Sequence, residues 1–104
     1  LSNKYNVLIP CYGHAGDGNL HATIVKKPEM DISDWNECLP KILFDLYDKT
    51  VALGGTISGE HGIGHKRKKF LGQALEPVTI ELMKRIKCSF DPNYILNPGK
   101  IFDN

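Results

Sequence analysis

The chain has 104 residues, of which 41% are hydrophobic and 24% charged, and a net charge of +1. That length holds one domain with a small core, and that composition belongs to a folded globular protein rather than a disordered one. The near-neutral balance argues against a nucleic-acid footprint, and no apolar run approaches the roughly 18 residues a membrane-spanning helix needs. No secretory signal is visible. Cys11, Cys38 and Cys88 are odd in number, widely spaced and free of any CxxC pair, so they read as reduced thiols of an intracellular protein. A start at Leu1 that runs almost at once into a strand suggests a piece of a longer polypeptide.

Asn6 to Tyr12 is apolar and β-prone, with Pro10 limiting its pairing or placing a bulge. Gly13 to Gly18 carries three glycines and an Asp-Gly pair, the composition of a turn. Asn19 to Lys26 alternates Leu20, Ala22 and Ile24 with His21, Thr23 and Val25 and reads as the returning strand. The pattern predicts an antiparallel hairpin with a histidine on each side of the turn. A linker follows, and Asp31 or Ser33 can cap a helix that runs to Leu53. Pro40 should interrupt it, leaving a short first turn and a main helix starting near Pro40. Leu39, Ile42, Leu43, Leu46, Thr50 and Leu53 mark its buried face, and Gly54-Gly55 ends it. Thr56 to Gly64 is a glycine-rich connection with a short strand expected at Thr56-Ile57-Ser58. The basic run from His65 to Lys69 should open a short helix to Leu71. A last helix should start at Pro77 and close near Phe90, with Val78, Leu82, Met83 and Ile86 on one face. The tail from Asp91 to Lys100 is turn-rich and reads as extended. The expected fold class is α+β: an antiparallel β-hairpin, part of a ferredoxin-like cap sheet, packed against two or three helices.

Three of the four histidines sit in two glycine-rich segments, Gly13-His14-Ala15-Gly16-Asp17-Gly18-Asn19-Leu20-His21 and Ser58-Gly59-Glu60-His61-Gly62. A simple strand would put His14 and His21, seven apart, on opposite faces, but the intervening turn lets them converge. With Glu60 they make a set of two imidazoles and one carboxylate with open positions, suited to zinc, manganese or ferrous iron. An ion so placed would polarise a substrate hydroxyl. His61 is then free for proton transfer, the task imidazole suits near neutral pH. The bland alternative makes the histidines hydrogen-bonded turn residues and the glycines servants of tight turns. Asp17 reads as a turn-former rather than a ligand. Cys11 reads as a small core residue beside the site. The basic run reads as a solvated helix end, with anion binding as the alternative. Neither Trp35 nor the tyrosines have a spacing that suggests a stacking platform.

Those two segments, the second extended as Gly-Gly-Thr-Ile-Ser-Gly-Glu-His-Gly-Ile-Gly, are followed by Asp-Pro-Asn-Tyr-Ile-Leu-Asn-Pro-Gly-Lys. In that order they resemble the C-terminal segment of the FAD-linked oxidases of the vanillyl-alcohol oxidase superfamily. The likeness spans about residues 7 to 102 and is greatest to glycolate oxidase flavoprotein subunits, D-lactate dehydrogenases and D-2-hydroxyglutarate dehydrogenases. It implies that residues 1–104 are the last part of a cap domain on an antiparallel sheet. The FAD-binding domain and the earlier cap, where the family usually places basic residues for the substrate carboxylate, would lie outside. The chain alone should then be inactive. The resemblance implies His14, His21 and Glu60 as metal ligands, His61 as the base that takes the 2-hydroxyl proton, and Asn97 beside the flavin edge. Thr23 stands where metal-dependent 2-hydroxyglutarate members tend to have Asn, which points instead to glycolate or D-lactate.

The implied activity is oxidation of a small D-2-hydroxy acid to the 2-oxo acid, with FAD and a divalent metal as cofactors. A quinone or an electron-transfer flavoprotein would be the electron acceptor. The implied location is cytoplasmic, with peripheral contact to the inner membrane left open. A metal-dependent hydrolase is the first alternative, weakened by the absence of HExxH and of a second carboxylate base. A non-catalytic interaction module with structural histidines is the second. A truncated sheet leaves an edge and an apolar face uncovered, so the chain should self-associate.

Overall fold

A computed structural model describes residues 1–103. Helix α1 spans Ser2–Tyr5, strand β1 Cys11–His14, strand β2 Asn19–Ala22 and helix α2 Ile32–Ala52. Helix α3 spans Leu71–Ala74 and helix α4 Pro77–Phe90, with 3-10 turns at Ala15–Asp17 and Lys68–Phe70. The class is α+β, as expected. The opening helix α1 was not expected; it ends at Asn6, whose φ of 52° is one that Asn tolerates better than most residues. Lys4 and Tyr5 both donate to the Asp45 carboxylate on α2, at 2.7 and 2.6 Å, which ties α1 to the long helix. Those two donors, the Lys4 ammonium first, hold the Asp45 carboxyl below the usual carboxylate range.

The hairpin forms with the register Cys11↔Ala22, Tyr12↔His21, Gly13↔Leu20 and His14↔Asn19. Both strands are shorter than the sequence pattern suggests. Pro10 has no N–H for the ladder, so pairing beyond it survives only as an isolated Leu8↔Val25 bridge. Gly13 is required by closeness: a Cβ there would run into the Asn19 carbonyl across the hairpin. β1 also reaches His14, so the turn proper is the 3-10 segment Ala15–Asp17.

Pro40 does not divide α2, which runs unbroken from Ile32 to Ala52. The missing N–H costs one intrahelical bond, and burial of Ile42 with half-burial of Leu43 and Leu46 on the inner face carries the helix through. Ile57 is buried with Val7, Ile42, Phe70 and Leu71 in the small core. No strand forms at Thr56-Ile57-Ser58; Ile57 is anchored by its side chain while the flanking glycines keep the backbone irregular. The helix expected over His65–Leu71 begins later, as a turn at Lys68–Phe70 leading into α3.

α4 has the bounds its proline and pattern predict, but its expected buried face is not covered. Val78, Leu82 and Ile86 are 75, 58 and 51% exposed, and only Ile80, Met83 and Lys87 are half-buried. The helix thus meets the rest of the chain along its Ile80–Met83–Lys87 side. Leu53 is likewise exposed, just past the end of α2. The tail is turn-rich, as expected, and docks through the Ile101 N–H on the Gly64 carbonyl at 2.7 Å. Among the described residues, no helix is long and apolar enough to cross a membrane.

Candidate functional site

The hairpin register decides which side chains share a face. Tyr12 and His14, two apart on β1, point the same way, and His21 lies directly opposite Tyr12. His14 and His21 are therefore diagonal neighbours on one face, resolving the question their seven-residue spacing left open. The Tyr12 and His21 rings stack, centroids 5.2 Å apart and 21° from parallel. Tyrosine spacing alone gave no hint of this, because the contact depends on register and not on sequence distance.

The loop Ser58–Gly62 comes to the hairpin from the far side. Ser58 Oγ accepts the Gly62 N–H at 2.7 Å and closes the loop on itself, so that Glu60 and His61 stand at its tip. Gly59 lies flat against the Asn19 side chain of β2, where a Cβ would overlap the amide oxygen. That close approach sets the depth of the loop and explains the glycine before Glu60. On the other flank Arg67 donates from Nη1 to the Gly62 carbonyl at 3.0 Å.

The result is a cluster. His21 Nε2 lies 3.1 Å from Glu60 Oε1, and His61 Nε2 lies 3.5 Å from the same oxygen. The ligand-capable atoms of His21, Glu60 and His61 all fall within 4.8 Å of one another. The His21 and His61 rings are 5.2 Å apart and tilted by 53°. The side chains are 25, 45 and 65% exposed in the order His21, Glu60, His61, so the cluster opens to solvent. Two imidazoles and a carboxylate are the donor set of zinc, manganese or ferrous iron sites. Donors each about 2.1 Å from one tetrahedral ion lie about 3.4 Å apart, and the two contacts to Glu60 Oε1, at 3.1 and 3.5 Å, match that spacing.

Of the residues singled out from sequence, the structure brings His21, Glu60 and His61 together. His14 shares the His21 face but is outside the convergent group. Asn97 is exposed in the tail with φ 47° and does not line the cavity beside the cluster. Cys11 is exposed, not the small core residue its apolar neighbourhood suggests. That cavity, about 560 Å³, lies between the hairpin, the Leu43–Thr50 face of α2 and the loop. Tyr47, which the sequence did not single out, also lines it, as does Arg67, one member of the basic run for which anion binding was the alternative. Arg67 was hidden within a run of cations that reads as uniformly solvated.

Residues 1–101 match the family model described as FAD linked oxidases, C-terminal domain. The chain is 41% identical over 102 residues to a glycolate oxidase subunit, GlcD, of Bacillus subtilis, covering 98% of this chain and 21% of that protein. It is 43% identical over 101 residues to a D-lactate dehydrogenase of Anaerostipes hadrus, covering 97% and 21%. It is 44% identical over 94 residues to a D-2-hydroxyglutarate dehydrogenase of Stutzerimonas stutzeri, covering 88% and 20%. The chain thus spans about a fifth of the length of these relatives. No solved structure gives a significant match. Matched along nearly its whole length, and with its histidine–glutamate segments folded onto one cavity, the chain belongs to the FAD-linked oxidases as their C-terminal domain.

Proposed function

We propose that this chain forms part of the substrate site of a flavin-dependent oxidoreductase that converts a small D-2-hydroxy acid, glycolate or D-lactate, to the 2-oxo acid. The convergence of His21, Glu60 and His61 on one open cavity carries the reading. Oxidation at C2 removes the hydroxyl proton and a hydride, and the C–O bond becomes a carbonyl. His61, the most exposed of the three, takes the hydroxyl proton at Nδ1, since Nε2 is the nitrogen beside Glu60 Oε1. The Glu60 carboxylate orients that ring through Nε2. Tyr12, stacked on His21, fixes the second imidazole. FAD, held mainly outside this chain, supplies the two-electron acceptor for the hydride.

His14, His21 and Glu60 would hold a divalent ion, and the shared hairpin face of the two histidines supports that set. When bound, such an ion lowers the pKa of the substrate hydroxyl. A second assignment, with His61 as the third ligand in place of His14, is favoured by the convergence within 4.8 Å. Asn97 would meet the flavin edge, a quinone or an electron-transfer flavoprotein would take the electrons, and the enzyme would work in the cytoplasm. Alone, the chain would self-associate through the uncovered α4 stripe.

The test is anaerobic mixing of the flavin-loaded parent protein with glycolate or D-lactate, followed at the flavin absorbance. The expected result is bleaching in the wild type, slowed about 100-fold or more by His61→Gln. A flavin that neither acid bleaches would overturn the reading.

A further inference from the structure

A 2-hydroxy acid presents two groups to its site, a hydroxyl and a carboxylate. The cluster of His21, Glu60 and His61 suits the hydroxyl, but the Glu60 carboxylate repels an anion. A cation suits the substrate carboxylate, and among the described residues one Lys or Arg lines the cavity: Arg67. We propose that Arg67 binds the carboxylate of the 2-hydroxy acid and so selects small anionic substrates, a role that rests on the function proposed above.

Three observations carry this. Arg67 has no carboxylate partner within ion-pair distance among the described residues, although its side chain is half-buried. A partly desolvated cation without a counter-ion is costly, and a bound anion relieves that cost. Next, its guanidinium is fixed in advance. Nε donates to the Tyr47 hydroxyl at 3.3 Å and Nη1 to the Gly62 carbonyl at 3.0 Å, which leaves the other N–H groups free. Preset planar donors match a carboxylate in a way a mobile ammonium does not.

Finally, its neighbours in the basic run are engaged elsewhere. Lys68 donates to the Gly99 carbonyl and Asp103, and Lys69 lies over the Phe70 ring on the side of α2 away from the cluster. Lys66 is exposed and lines no part of the cavity. One member of the run thus lines the site, and one of the two contacts that fix it is to Gly62, next to His61. Arg67 would add a carboxylate contact from this part of the chain to any that other parts of the protein supply.

The experiment uses the flavin-loaded parent protein with Arg67→Met and Arg67→Lys. Binding of oxalate, a non-oxidisable anionic analogue, is read by perturbation of the flavin spectrum, and KM and kcat are measured for glycolate and for its neutral amide. Loss of a charge-assisted pair should raise the oxalate Kd and the glycolate KM about 10- to 100-fold in Arg67→Met. KM should rise by more than kcat falls, the amide should be affected far less, and Arg67→Lys should recover part of the loss. If Arg67 only braced the Gly62 turn, glycolate and its amide would suffer equally, and that result overturns the proposal. An unchanged oxalate Kd in Arg67→Lys and Arg67→Met overturns it too. A wild-type protein that oxidises no 2-hydroxy acid overturns the function itself, which separates the two failures. Should Arg67→Met not fold, the oxalate Kd of Arg67→Lys decides.

Discussion

Asp91 and Glu60 each gather several contacts, and they do so in opposite ways. Asp91, at the end of α4, is 4% exposed and satisfied from within. It accepts Lys87 Nζ at 2.6 Å and the Ile95 and Leu96 N–H groups at 3.0 Å each, folding the tail back on the helix. Glu60 stands at a loop tip, 45% exposed, with two imidazoles beside one oxygen. A buried carboxylate with a full set of donors has finished its work in folding. An exposed one held among half-exposed imidazoles by a braced loop has coordination left to give. Proximity of charged groups alone does not separate these two carboxylates; burial and the source of the donors do.

The difference can be broken at the loop. Gly59→Ala puts a methyl into the Asn19 side chain and should push Glu60 and His61 off His21. Turnover of the parent enzyme should fall about 100-fold, the scale on which misplacement of a reacting group acts. Asn19→Ala in the same chain should restore much of it, a coupling that a double-mutant cycle would read. Additive losses would mean that the contact does not set the loop.

At the other carboxylate the effect should fall on stability, not turnover. The Lys87 ammonium, then the Leu96 and Ile95 amides, hold the Asp91 carboxyl below its ordinary range. Its folded-state value is therefore lower than its unfolded one. The stabilisation it provides is complete above the ordinary carboxylate range and is lost as pH falls through the lowered value. Asp91→Asn should lower Tm by several degrees at neutral pH and flatten the acid limb of the Tm profile. An unaltered acid limb would show that Asp91 contributes nothing through its charge.

A smaller effect concerns the uncovered α4 stripe of Val78, Leu82, Ile86 and Phe90. Sedimentation of the isolated chain should show association that rises with concentration and weakens in Leu82→Lys with Ile86→Lys. A monomer at every concentration would contradict it.

The sequence made legible what depends on local chemistry. The hairpin, the end of α2 at Gly54-Gly55 and the proline start of α4 follow from turn glycines, helix-stopping glycines and N1 proline. The segments that bring His21, Glu60 and His61 together were legible too, because glycine-flanked histidines are unusual enough to notice, while His14, singled out with them, stays outside the group. What it hid depends on tertiary partners. Pro40 reads as a break until the buried inner face of α2 is seen to carry the helix across it. Val78, Leu82 and Ile86 read as core because helical periodicity reports an apolar face, not whether anything covers it. The Tyr12–His21 stack needs the register, and Arg67 differs from Lys66 and Lys68 only in what lies opposite it.

The central claim is that Glu60 and its imidazoles form a ligand-binding centre and not a solvated turn. Metal content of the purified parent protein tests it most directly, by elemental analysis of the wild type and of His14→Ala, His21→Ala, Glu60→Gln and His61→Ala. The account predicts on the order of one zinc, manganese or iron per chain. That ion should be lost on changing His21 or Glu60, and whichever of His14→Ala and His61→Ala also releases it marks the third ligand. A wild-type protein without metal, or one whose metal survives Glu60→Gln and His21→Ala together, would contradict it.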